Sequence, residues 1–237
     1  MLFRSLLDLI LNFIIFDAGR KKVPRPHQFA AVKAAQERIH KREGGVIWHT
    51  QGSGKSILMV LLAKWLLEHD PEARVLIVTD RDELDKQIEG VMKNAGVVGE
   101  GSPPPRIASR MDLVLKLTDT TPRLLCALLH KFDPADLNGP PPPIHGRFYV
   151  FVDECHRTQG GDMNRQMKRW LANAIFIGFT GTPLLKKDAA KLRTRDIFGT
   201  YIHTYKFHQG VADKVILDLK YEARDVPQRI TSPEAIE

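Results

Sequence analysis

Cysteine is scarce: the 237 residues contain two, Cys126 and Cys155, which excludes a disulfide-stapled secreted scaffold. Both lie inside apolar runs, the ordinary place of a buried thiol, and a reducing cytoplasm is the expected compartment. Long hydrophobic runs are missing as well. The most apolar stretch, Leu2 to Phe16, is broken by Arg4, Asp8 and Asn12 at steps of four, which lines the polar residues along one side of a predicted helix. It is too short and too polar to span a membrane, and no small-residue cleavage site follows it as in a signal peptide. It is expected to dock on a core, its own or a neighbour's. Internal repeats are absent. Acidic residues are in deficit, 28 against 35 Lys and Arg, so the formal charge is +7 and the pI near 9.4. That excess favours a polyanion partner without naming one, and a merely basic surface accounts for it equally well.

What is present is ordinary globular composition, 43% hydrophobic and 27% charged, which argues against a disordered or fibrous chain. Apolar runs are spread from Leu2 to Leu219, so one domain with ragged ends is expected. From Gly44 onward, strand-like runs at Val46–Trp48, Val75–Thr79, Leu124–Leu128, Phe148–Val152 and Ile175–Phe179 alternate with helical patterns near 54–69, 81–94, 109–117 and 161–172. The strand runs are mostly apolar throughout rather than alternating, as strands covered on both faces are. The prediction is an α/β fold, a parallel sheet with helices on both faces. Two proline clusters, Pro103–Pro105 and Pro140–Pro143, read as stiff surface loops. Past Gly199 the pattern weakens, and Ser232 to Glu237 read as a cut end.

His49-Thr50-Gln51-Gly52-Ser53-Gly54-Lys55-Ser56 follows one predicted strand and opens the apolar helix Ile57–Leu67, the context a phosphate loop requires. Glycines at 52 and 54 let backbone N–H groups turn inward around an anion, and the helix N-terminus adds its positive dipole end. Thr50, Gln51, Gly52, Ser53, Gly54, Lys55 and Ser56 are therefore the candidate nucleotide contacts. Lys55 would reach the β and γ phosphates, and the Ser56 hydroxyl would ligate Mg²⁺. The strict pattern has glycine where His49 stands, so the loop is a variant.

Phe148–Val152 ends in Asp153-Glu154-Cys155-His156, an acidic pair where parallel sheets put ligand chemistry. Asp153 can join the Mg²⁺ shell and Glu154 can polarise the water that attacks the γ-phosphate, while His156 is placed to sense that phosphate. Ile175–Phe179 ends in Thr180-Gly181-Thr182-Pro183, and the hydroxyls of Thr180 and Thr182 suit a relay between the nucleotide and whatever the protein moves against. Lys55 and Glu154 are the candidate catalytic residues.

In this order the three motifs resemble motifs I, II and III of superfamily 2 helicases and translocases, and Arg25-Pro26-His27-Gln28 resembles the glutamine element of that superfamily, which makes Gln28 the implied adenine contact. Val78–Gln87, Val152–Gln159, Phe176–Leu184, Phe198–Tyr205 and Tyr221–Arg224 are similar to the motor subunit of type I restriction enzymes, and Leu6–Ile14 resembles the segment that precedes the motor. Ser56 stands where threonine is usual, and Asp-Glu-Cys-His replaces Asp-Glu-Ala-His. Leu124–Phe132 matches the family's DNA-contacting motif only through His130-Lys131-Phe132.

The resemblance implies a RecA-like, P-loop NTPase domain that binds ATP and Mg²⁺ and couples hydrolysis to movement on double-stranded DNA, with Arg81 and Lys131 as candidate backbone contacts. It implies methylation and specificity subunits as partners, no membrane, and a nuclease domain and second RecA-like domain that 237 residues cannot hold. The expected organisation is a connecting helix at 1–19, motor domain 1 at 20–225 and a truncated linker at 226–237. Two other readings stay open: the RecA-like domain of another superfamily 2 DNA or RNA helicase, and a non-catalytic nucleotide-gated interaction module.

Overall fold

The computed structural model describes residues 2–17, 19–79, 90, 93, 105–128, 140–153, 167–183 and 194–219. All five predicted strands are present, as β3 (Gly45–His49), β4 (Ala73–Thr79), β5 (Leu124–Leu128), β6 (Arg147–Val152) and β7 (Ile175–Thr180). They form one parallel sheet with a sixth strand, β8 (Tyr201–Tyr205), in the order β5-β4-β6-β7-β3-β8. β8 lies where the sequence pattern weakens. It is an edge strand of mixed character, half-buried at Tyr201–His203, exposed at Thr204 and buried at Tyr205, and so has no apolar run to betray it.

Side-chain alternation along the inner strands builds two cores. Ile47, Val75, Ile77, Tyr149, Phe151, Ile177 and Phe179 point to one face. There they meet α2 (Pro26–His40) and α3 (Lys55–His69), whose Leu58 to Ala63 and Leu66 are all buried. Val46, Leu76, Val78, Leu125, Val150, Val152 and Phe176 point to the other, against α4 (Arg110–Thr118) and Trp170. Each large side chain so buried contributes about 1.5–3 kcal/mol, which is why these strands are apolar throughout.

One residue breaks that rule. Arg74, the second residue of otherwise apolar β4, is 2% exposed. Its guanidinium donates to the carbonyls of Lys116 (2.5 Å), Asp119 (2.6 Å), Pro122 (3.0 Å), Leu117 and His145 (both 3.3 Å), gathering the end of α4 and two loops onto the amino-terminal edge of the sheet. A cation at a helix C-terminus also meets the negative end of its dipole.

The N-terminal helix is shorter than the sequence suggests. α1 (Leu2–Asn12) gives way to a hairpin of β1 (Ile15–Asp17) and β2 (Arg20–Lys22), turned by Gly19 at φ 74°. The β-branched and aromatic run Ile14-Ile15-Phe16 favours a strand over another helical turn. Phe13 and Ile15 are buried in the first core, Phe13 edge-on to Phe29 at 5.6 Å. α1 presents Asp8 to Lys33 of α2 at 3.0 Å, whereas Leu6, Leu7, Ile10 and Leu11 are exposed. Further helices among the described residues are α5 (Thr194–Phe198) and α6 (Phe207–Ala212), which follows β8. Most of the predicted helix near 81–94 and of that near 161–172 lies outside the described residues; Gly90, Lys93 and Met167–Trp170 are helical.

Candidate nucleotide site

Because β3, β7 and β6 are neighbours in a parallel sheet, their carboxyl ends bring three distant pieces of sequence to one edge: the loop after His49, Thr180–Thr182 and Asp153. Open α/β sheets bind ligands at this edge.

The loop between β3 and α3 turns through Gly52 at φ 79° and Gly54 at φ 82°, left-handed conformations that glycine adopts without strain. Ser53 Oγ donates to Thr50 O at 2.6 Å, closing the loop on itself, and Thr50 N donates to Tyr205 O of β8 at 2.9 Å. α3 starts at Lys55 with Gly54 as its N-cap and no side chain bonded to its first N–H groups. An uncapped 15-residue helix opening behind a glycine loop presents donors and a positive dipole end to an anion.

Gln28 is buried, and both ends of its amide are engaged. Its Oε1 accepts from Arg25 N at 2.8 Å, and its Nε2 donates to Ser53 O at 3.3 Å and Gly54 O at 3.1 Å. The first bond caps the start of α2 from the N3 position, so the same side chain caps one helix and braces the loop that opens another. The approach is close: a Cβ on Gly54 would lie 2.5 Å from Gln28 Nε2. In this arrangement Gln28 is a strut for the loop.

Thr180–Thr182 runs along the other side of the loop. Trp48 Nε1 donates to Gly181 O at 3.1 Å, and Thr182 N donates to Thr180 Oγ1 at 3.1 Å. A Cβ on Gly181 would lie 3.2 Å from Gln51 N and 3.5 Å from Lys55 Nζ, so the space beside the lysine exists because residue 181 has no side chain. Asp153 is buried just beyond β6, its N–H donating to Val78 O at 2.8 Å. The Ser56 hydroxyl and Asp153 carboxylate are hard oxygen donors of the kind Mg²⁺ prefers. Glu154, His156, Arg81 and Lys131 lie outside the described residues.

The structure adds residues that motif spacing does not reveal. His49 is fully buried, with its Nε2 2.8 Å from His203 Nδ1 on β8. His27 Nε2 donates to Ser53 O at 3.0 Å, and its ring stacks on Tyr205 with centroids 4.0 Å apart. Tyr205 in turn donates its hydroxyl to Asp213 at 2.8 Å. Burial, with His203, His27 and Lys55 nearby, pushes the His49 pKa down to about 3; burial and then His27 lower that of His203. Burial and the bond to Asp213 push Tyr205 up to about 12. Only the alternation of β8 beside β3 could have located this group, and β8 itself is faint in sequence.

A cavity of about 700 Å³ opens at the opposite, amino-terminal edge of the sheet, lined by Arg42, Arg74, Arg123, Arg147 and Arg169. Its charge is largely committed within the fold. Arg74 and Arg123 hold backbone carbonyls, and Arg147 pairs with Asp70 at 2.7 Å. No helix among the described residues is long and apolar enough to cross a membrane.

Comparison with known proteins agrees with this geometry. Residues 27–237 match the SWI2/SNF2 ATPase family. The chain is 31% identical over 248 residues to the type I restriction enzyme HindI endonuclease subunit of Haemophilus influenzae, covering 92% of this chain and 23% of that one. Among solved structures, the UvsW helicase of bacteriophage T4 superposes with a TM-score of 0.58 over 85% of this chain and 67% of its own, at 18% identity. The Sulfolobus solfataricus SWI2/SNF2 ATPase core in complex with dsDNA superposes with a TM-score of 0.52 over 74% and 34%, at 15% identity. These two are likenesses of fold. The chain spans about a fifth of the length of the curated relatives it matches.

Proposed function

The chain belongs to the SWI2/SNF2 ATPase family, and from that premise we propose that it is the first RecA-like motor domain of a type I restriction endonuclease subunit, binding ATP and Mg²⁺ to drive translocation on double-stranded DNA. The observation that carries this reading is the convergence of the glycine loop, Lys55 and Gly181 at the carboxyl edge of β3 and β7, where Gly181 leaves space beside the lysine.

In this reading residues 20–225 are the motor domain, joined to the segment 1–19 through the β1–β2 hairpin and followed by a linker from 226. The N–H groups of Thr50 to Gly54 cradle the phosphates, Lys55 neutralises charge that develops on the γ-phosphate, and Gln28 keeps the loop in shape beside the adenine. Ser56 and Asp153 would hold Mg²⁺, which would supply further charge neutralisation. Glu154 orients the attacking water. His156, Thr180 and Thr182 report the state of the γ-phosphate to the DNA side, where Arg81 and Lys131 meet the backbone without reading sequence. Cleavage and sequence recognition belong to a nuclease domain and to methylation and specificity subunits, working together in the cytoplasm.

The test is equilibrium binding of a fluorescent ATP analogue. Binding should require Mg²⁺ and be lost in Lys55→Ala without loss of fold; unchanged affinity would mean the loop binds something else. An arginine finger supplied from elsewhere is worth roughly 10³–10⁵ in rate, so this chain alone should bind nucleotide but hydrolyse it slowly. Fast DNA-stimulated turnover by the isolated chain would refute that. In the full subunit Glu154→Gln should abolish turnover, whereas a binding module would be indifferent.

A further inference from the structure

We infer that His203, on the edge strand β8, is a positioning residue for the phosphate loop, acting through His49 as a proton-sensitive brace. The role presupposes that the loop binds nucleotide.

Strict phosphate loops begin with glycine; this one begins with a histidine whose ring is fully buried. Its Nδ1 has no hydrogen-bond partner among the described residues, and its Nε2 lies 2.8 Å from His203 Nδ1. A buried N–H without an acceptor costs more than a buried lone pair without a donor, so the proton belongs on His49 Nε2 and His203 Nδ1 accepts it. The chain leaves that bond directly into the loop. Thr50 N is held by Tyr205 O, Thr50 O receives Ser53 Oγ, and Ser53 O receives His27, which stacks on Tyr205. The start of the loop is thus tied to β8 at two successive positions, by the His49 side chain and by the Thr50 backbone. Past α6, Ile216 closes over the outside of the loop: a Cβ on Gly52 would lie 3.2 Å from its Cγ2.

A bond between two neutral imidazoles fails when the acceptor takes a proton, because two N–H groups then face each other. The groups around the pair are mostly basic: His27 from α2, Arg25 at the N-cap of α2 and Lys55 from α3. Tyr205 lies beside it on β8, and Asp213, the acid of this set, is bonded to the Tyr205 hydroxyl. Protonation of His203 on acidification therefore opens the brace and loosens the loop.

The experiment measures the affinity of the whole 237-residue chain for a fluorescent ATP analogue with Mg²⁺ from pH 8 to pH 5.5, with circular dichroism at each point to confirm the fold. His203→Phe removes the acceptor and should weaken binding roughly tenfold at pH 8, the loss of one buried hydrogen bond. His203→Asn offers Oδ1 near the place of Nδ1 and cannot titrate, so it should restore affinity to within about twofold and flatten the decline that the parent shows toward the acid end of the range, where His203, held below the ordinary histidine value by burial and His27, takes its proton. The inference is overturned if His203→Phe binds as the parent does while Lys55→Ala does not bind. It is equally overturned if His203→Asn keeps the parent's pH profile. Parental affinity in Lys55→Ala would instead remove the nucleotide reading itself. Should His203→Phe fail to fold, the asparagine profile alone decides.

Discussion

Replacing Arg74 with methionine keeps most of the buried stem and removes the fork that holds five carbonyls. Three of the five bonds, to Lys116, Asp119 and Pro122, are 3.0 Å or shorter and are the ones whose loss should count. A buried acceptor left without a donor costs about 1–3 kcal/mol, and bonds to a charged donor lie toward the upper end. Relief of the guanidinium's own desolvation offsets part of this, as does water entering from the adjacent 700 Å³ cavity. The net expectation is a loss of about 3–5 kcal/mol. For a domain of this size each kcal/mol moves the melting temperature by about 2–4 °C, so calorimetry should show a fall of about 10 °C. Arg74 lies at the amino-terminal edge of the sheet and the loop at the carboxyl edge. Affinity for an ATP analogue, measured well below the melting point, should therefore stay within about twofold of the parent. A fall under about 3 °C would show that the carbonyls are solvated and that the fork holds nothing. A large loss of affinity with little loss of stability would show that the arginine acts on the site.

Gly54→Ala puts a Cβ 2.5 Å from Gln28 Nε2 at φ 82° and should cost about 1–3 kcal/mol of stability with at least a tenfold loss of nucleotide affinity; parental affinity by titration would contradict the strut role of Gln28. Gly181→Val intrudes beside Lys55 Nζ and should weaken binding with little change in melting temperature; unchanged affinity would mean the ligand does not use that space. His49 is held near a pKa of 3 against 6.5 when unfolded, so the unfolded chain binds the extra proton. Stability from this group is full above pH 6.5 and falls below it, by about 2 kcal/mol at pH 5. His203 changes in the same direction, and melting curves that coincide at pH 7.5 and pH 5 would refute the buried neutral pair.

Legibility followed physical contrast along the chain. Val75–Thr79 and Ile175–Phe179 stood out because strands covered on both faces are apolar almost throughout. The Gly-Ser-Gly-Lys-Ser loop stood out because few other structures need left-handed glycines ahead of a lysine. Tyr201–Tyr205 did not, since an edge strand is only half covered and tolerates His203 and Thr204. Gln28 was legible as a residue but not as a strut, because its partners lie 25 and 26 residues away and sequence does not carry distance. Arg74 gave no signal. One charge in an apolar strand looks like a flaw until the carbonyls around it are seen.

The strand order has a consequence for how the protein is made. β3 pairs only with β7 and β8 in the described sheet, and β7 begins 130 residues after β3, at Ile175 against Gly45. At ribosomal speeds that separation is on the order of ten seconds. Meanwhile β4, β5 and β6 can pair among themselves as they emerge, so the sheet grows from its far edge toward the phosphate loop. For that interval Val46-Ile47-Trp48 wait without their strand partners, an apolar segment with unpaired backbone on both sides. The glycine loop at the carboxyl edge of β3 is thus synthesised early and enclosed late, once β7 and β8 have been added on either side of its strand.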